Sequence, residues 1–133
     1  MKITLRDCQA NDTFINFLFL SHTPDPDEGS YLEVSFFNNS KLERTSEFGW
    51  ANRVLYKFIE ILKNFPVNDQ DGHYSHFEKH FNLRWIHENA TGYYLIIIED
   101  VGNLFTLKVT KDDLVNLGKQ LEIESYKAPK YLK

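Results

Sequence analysis

The chain has 133 residues, one domain's worth of sequence, and can bury about two thirds of the surface its unfolded form exposes. A hydrophobic share of 42% against 26% charged excludes bulk disorder, and its one cysteine, Cys8, excludes an internal disulfide. Net charge is −4, but residues 126–133 hold three lysines and no acid, which leaves twelve cations against nineteen acids, a formal −7, on the rest. Such a body argues against a nucleic-acid binder, which needs a basic face able to release counterions, and suits a partner with a basic surface.

Residues 1–6 alternate Ile3 and Leu5 with Lys2, Thr4 and Arg6, which predicts a half-buried strand. After the Asn11-Asp12 turn signal, Thr13 to Ser21 is apolar on both faces and predicts a strand inside a sheet. His22 to Gly29, HTPDPDEG, reads as a loop, because its prolines cannot serve a strand ladder. Tyr31 to Phe37 alternates again, with Leu32, Val34 and Phe36 inward and Glu33 and Ser35 outward. Asn38-Asn39 turns the chain, and Lys41 to Ser46 predicts a short fourth strand.

Trp50 to Phe65, WANRVLYKFIEILKNF, carries the strongest helical period. Ala51, Leu55, Phe58, Leu62 and Phe65 share one face, and Val54, Ile59 and Ile61 widen it. Asn52, Arg53, Lys57, Glu60 and Lys63 fall on the solvent side. Two starts are open: a Ser46 cap with Glu47 in the first turn, or entry at Gly49. The end is set by Pro66, which cannot donate and disfavours a helical residue before it.

Val67 to His73 is a polar loop. Phe77, Phe81, Leu83 and Trp85 then fall at even spacing, which suits an extended or bulged strand to His87; a short helix over Ser75 to His80 competes. Ala90-Thr91-Gly92 turns the chain into Tyr93 to Glu99, apolar on both faces and predicted central. Asp100 to Asn103 is a hairpin loop, and Leu104 to Val109 returns with Phe105, Leu107 and Val109 inward. Thr110 to Asp113 forms a capping-box-like start to a helix from Lys111 to about Glu122, with Leu114, Leu117 and Leu121 as its stripe. Gly118 lies on that stripe and permits close approach to the sheet. Both tryptophans, Trp50 and Trp85, are expected in the core. The predicted class is α+β: an antiparallel sheet of six to seven strands in two meanders, each followed by a helix, with both helices on one sheet face. Residues 1–125 form one domain, and 126–133 a basic, flexible tail.

For chemistry, His73, His76 and His80 cluster as DGHYSHFEKH. On a helix His76 and His80 could share a zinc ion; on a strand they stand about 13 Å apart, so the strand reading makes them solvated. Asp25, Asp27 and Glu28 lack the dense ligand spacing of a calcium loop. Cys8 has no base near it in sequence, and neither a nucleophile elbow nor a glycine-rich phosphate loop occurs. No catalytic residue, metal or cofactor is therefore expected. MKITLRDCQAND turns polar after five residues, and the longest apolar runs are too short to span a bilayer, so a cytoplasmic location without membrane insertion is expected.

An N-terminal meander, the spacing Leu55, Phe58 and Leu62, the Asp71-Gly72-His73 run, the strand bearing Trp85, an apolar hairpin and the closing Leu114, Leu117 and Leu121 together resemble small bacterial proteins of the WapI-type immunity group and related small bacterial families. The resemblance spans residues 1 to about 124 and brings no agreed active-site residues. It implies a non-enzymatic protein-binding domain that neutralises a toxin by direct binding. The acidic residues Asp25, Asp27, Glu28, Asp69 and Asp71 are the expected contacts to a basic toxin domain, and the chain is expected as a monomer or weak dimer. Two alternatives stay open. One is a small acidic secretion-type chaperone, although those usually begin with a helix and dimerise. The other is a ligand-binding domain with a pocket between helix and sheet, a space that the bulky side chains of residues 51–65 are expected to fill.

Overall fold

A computed structural model of the chain describes residues 2–25, 27–66, 72–74 and 81–130. Its elements run β1 (Ile3–Arg6), β2 (Phe14–His22), β3 (Gly29–Asn38), β4 (Lys41–Ala51), α1 (Asn52–Lys63), β5 (Gly72–Tyr74), β6 (Asn82–His87), β7 (Tyr94–Asp100), β8 (Asn103–Val109) and α2 (Lys111–Lys127). The α+β class and the two antiparallel meanders are as expected. The single sheet of six to seven strands is not: β1 to β4 form one four-stranded sheet and β5 to β8 a second, each in sequential order. The extra strand is β5, drawn out of the expected polar loop because Gly72 pairs with Trp85 and Tyr74 with Leu83.

The strands apolar on both faces, β2 and β7, lie inside their sheets. Leu32, Val34 and Phe36 of β3 point inward as their alternation predicts. The larger correction concerns β4. It continues through Ser46, Glu47 and Gly49 to Ala51, paired with β3 from Asn38↔Lys41 to Gly29↔Ala51. Neither expected helix start is used. Phe48 and Trp50 alternate inward on the strand, and α1 begins at Asn52 with no side-chain cap. A period of two wins over the helical period here because Phe48, Gly49, Trp50 and Ala51 each lie in register against a residue of β3.

Leu55, Phe58, Ile59 and Leu62 form the buried face of α1, but Ala51 is exposed and Asn52, expected in solvent, is buried. Trp50 and Trp85 are 3% and 4% exposed, core residues as expected. Phe58 ties the helix to both sheets: its ring lies 5.5 Å from Trp50, 5.3 Å from Tyr74 and 5.8 Å from Phe81. The sheets also meet along β1 and β8. The Cys8 amide donates to the Lys108 carbonyl, and the Asp7 carboxylate accepts from the Lys108 amide, both at 2.8 Å.

The capping box of α2 is present: the Thr110 hydroxyl accepts from the Asp113 amide, and the Asp113 carboxylate accepts from the Thr110 amide. The helix runs past Glu122 to Lys127, so residues 126 and 127, expected in the tail, complete its last turn. Beyond it, the Pro129 carbonyl accepts from the His22 amide at 2.8 Å.

Gly118 allows close approach to α1 rather than to a sheet. A Cβ there would stand 2.9 Å from Leu62 Cβ and from Lys63 Cγ, and 3.1 Å from the Lys63 backbone nitrogen. Gly118→Ala should therefore lower stability by about 1–3 kcal/mol in denaturant titration, because overpacking outweighs the helix-propensity gain of up to ~1 kcal/mol. An unchanged or raised midpoint would show that the helices separate at no cost.

Candidate functional site

Three buried polar side chains organise the end of the first sheet. Ser30 shares the inward parity of Leu32, Val34 and Phe36, so its hydroxyl enters the core. Asn52 opens α1 on the apolar stripe, three residues before Leu55. His22 closes β2 beyond a register shift between Phe19 and Ser21, which turns its ring inward. Ser30 and Asn52 are 0% exposed and His22 1%.

Their hydrogen bonds form a chain. Ser30 Oγ donates to Asn52 Oδ1 at 2.7 Å and lies 2.6 Å from His22 Nδ1. Its only proton is thereby committed, so it accepts from His22, whose Nδ1 carries the proton. His22 Nε2 is then an unprotonated buried nitrogen with no partner among the described residues, near the rings of Phe19 and Tyr56. Asn52 Nδ2 donates onward to the carbonyls of Thr23 and Asp25, at 2.6 and 2.7 Å. With its hydroxyl buried and its proton given to Asn52 rather than to the histidine, Ser30 is arranged to hold a loop rather than to attack a substrate.

That loop carries three of the expected contact residues. The Asn52 amide donates to the Glu28 carbonyl, the Glu28 amide to the Asp25 carbonyl, and the Asp27 amide to the Asp25 carboxylate. Asp25, Asp27 and Glu28 are thus brought together, all exposed. Arg53 of α1 reaches Asp27 at 2.9 Å, an exposed ion pair of small energetic weight. Asp69 and Asp71 lie outside the described residues, as do His76 and His80; His73 is exposed on β5. Among the described residues no three His, Cys, Asp or Glu side chains converge as a metal site.

A groove leaves this loop across the outer face of the first sheet. A cavity of about 430 Å³ runs from Asp27 and Glu28 past Gly29 to Tyr31 and Gly49. A second, of about 700 Å³, continues from Tyr31 and Gly49 to Leu20, Glu47 and Lys130. The space between α1 and the sheet is filled by Leu55, Phe58 and Leu62, all buried. A smaller cavity of about 250 Å³ lies at the other end of β4, beside the 3.1 Å Arg44–Asp100 ion pair. Cys8 is exposed, with its thiol pushed up by partial burial and then by the carboxylates of Asp7 and Asp113, so it is not an activated nucleophile.

Reasoning from sequence missed His22, Ser30, Asn52 and Tyr31. For Ser30 a signal existed, a polar residue at a core-facing parity. Loss of hydration on burial lowers the His22 pKa below its ordinary value of 6.5. The unfolded chain then binds the extra proton first, so stability is full above about pH 6.5 and declines as pH falls toward the folded-state value. His22→Gln should flatten that decline between pH 7 and 5.5 in denaturant titrations; an equally steep decline would assign it to other groups.

No protein-family model matches the chain, and no curated protein matches it in sequence.

Proposed function

We propose that this chain is a non-enzymatic protein-binding domain of the immunity type, which neutralises a toxin by laying its acidic loop against a basic surface. One observation carries the reading: a buried His22–Ser30–Asn52 network holds the loop that displays Asp25, Asp27 and Glu28. Buried polar networks rigidify when satisfied and are costly when they are not, so the local stability of the fold is tied to the shape of this loop. A fixed array of carboxylates steers a basic partner and loses little entropy on binding.

The test is co-expression with the products of neighbouring genes, followed by calorimetry on any complex recovered. Affinity should weaken about tenfold or more between 50 and 500 mM salt, and Asp27→Asn with Glu28→Gln should weaken it about fivefold, mainly through the association rate. A chain that captures none of these products, or a complex indifferent to salt and to both substitutions, would refute the proposal.

A further inference from the structure

The polar network that holds the acidic loop ends on an open atom. His22 Nδ1 donates to Ser30, whose own proton goes to Asn52, so Nε2 carries no proton. That nitrogen is buried without a partner among the described residues. Its surroundings suit a cation poorly. The rings of Phe19 and Tyr56 stand 6.2 Å from the imidazole, beyond the about 6 Å within which a ring face attracts a cation. The Tyr56 hydroxyl of α1 is neutral, its pKa raised first by burial and then by Tyr126 and Asp25. On α2, Glu124 and Lys127 pair at 3.7 Å and line a cavity with Phe19 and Pro129. Loss of hydration sets the direction of the His22 pKa, and no neighbouring charge opposes it.

His22 is also the last residue of β2, so its ring and the loop move together. Its backbone pairs with Ser30, and its amide donates to the Pro129 carbonyl. Thr23 follows directly, its amide on the Gly29 carbonyl at 3.3 Å and its carbonyl on Asn52. A ring that leaves the core pulls on these first bonds of the loop. We propose that His22 is a proton-operated latch: a proton taken from solvent at Nε2 draws the ring out of the core and releases the loop bearing Asp25, Asp27 and Glu28, with the second sheet still folded. Nδ1 keeps its proton throughout, and the imidazolium gains the hydration that the core denies it. The latch belongs to the chain itself and needs no partner, so it stands apart from the protein-binding reading.

The experiment measures amide exchange of the ¹⁵N-labelled chain from pH 7.5 to 4.5, corrected for the intrinsic rate at each pH. At pH 7.5, long-range ¹⁵N–¹H spectra should show His22 as the Nδ1–H tautomer. The amides of Thr23, Asp25, Glu28 and Asn52 should exchange through a local opening, with less protection than those of β7. Their protection should fall about tenfold between pH 7.5 and 5.5, as expected of a ring that takes its proton only when the loop is open. His22→Gln should abolish that fall. Loop protection that holds steady while β7 loses its own would mean that the ring is exposed only on complete unfolding, and would overturn the latch. So would an Nε2–H tautomer, or an equal fall in His22→Gln. Should that variant not fold, the wild type decides alone: a fall that begins only below about pH 5 belongs to the loop carboxylates and overturns the latch.

Discussion

Asn52→Ala should lower stability by about 2–4 kcal/mol, more than its small volume change explains. The loss has a defined origin. Without the amide, the buried Ser30 hydroxyl loses its acceptor, and the carbonyls of Thr23 and Asp25 lose their donor. Each buried group left unsatisfied costs about 1–3 kcal/mol, with water able to reach the two part-buried carbonyls in part. Asn52→Asp should be worse than alanine at neutral pH, although it restores the acceptor for Ser30. One carboxylate oxygen would take the Ser30 proton, but the other would face the carbonyl oxygens of Thr23 and Asp25 with no donor to satisfy it. Chemical denaturation of both variants decides this. A loss under about 1 kcal/mol for alanine, or aspartate more stable than alanine, would remove Asn52 from its assigned role.

Phe58→Ala should lower stability by about 3–5 kcal/mol, the largest effect expected of any single α1 substitution. The ring is fully buried where Trp50, Tyr74 and Phe81 meet, so its loss leaves a cavity bounded by both sheets. Collapse into that space is limited, since Tyr74 is anchored by a 2.8 Å hydrogen bond from its hydroxyl to the Val54 carbonyl. The variants should differ in kind as well as size. Phe58→Ala lowers the free energy of global unfolding, whereas Asn52→Ala also loosens one loop inside an intact core. A loss below about 1 kcal/mol for Phe58→Ala would place this face outside the core.

Sequence pattern reaches the elements whose partners are local or whose faces are uniform. The alternation of Leu32, Val34 and Phe36 needs only the strand's own period, and the Thr110–Asp113 capping box needs only four residues. The stripe of Leu55, Phe58 and Leu62 is legible for the same reason. The start of α1 is not, because Phe48, Trp50 and Leu55 fit a strand followed by a helix as well as one long helix; the Gly29↔Ala51 pairing decides it. How the two sheets meet is settled by contacts such as Asp7 with Lys108, 101 residues apart, for which no local period exists.

The candidate site divides along the same line. Asp25, Asp27 and Glu28 are visible as an acidic run in a proline-broken loop. What holds them is not, since His22, Ser30 and Asn52 sit on three elements and are common polar types. Asn52 was hidden by its chemistry: an amide four residues from Tyr56 on a helix reads as solvent-facing until its acceptors are known. Tyr31 was hidden by its parity, which marks it as one more outward residue until Gly49 is seen beneath its ring.

The acidic loop is held as a fixed surface before any partner arrives. Native-state amide exchange tests it most directly. The amides of Thr23, Asp25, Glu28 and Asn52 each donate within the loop and its anchor. In the wild-type chain they should exchange at least about 100-fold more slowly than in an unstructured peptide, and Asn52→Ala should remove most of that protection while the amides of β7 keep theirs. Exchange of these four amides at the unstructured rate in the wild type would mean that the loop is not held before binding.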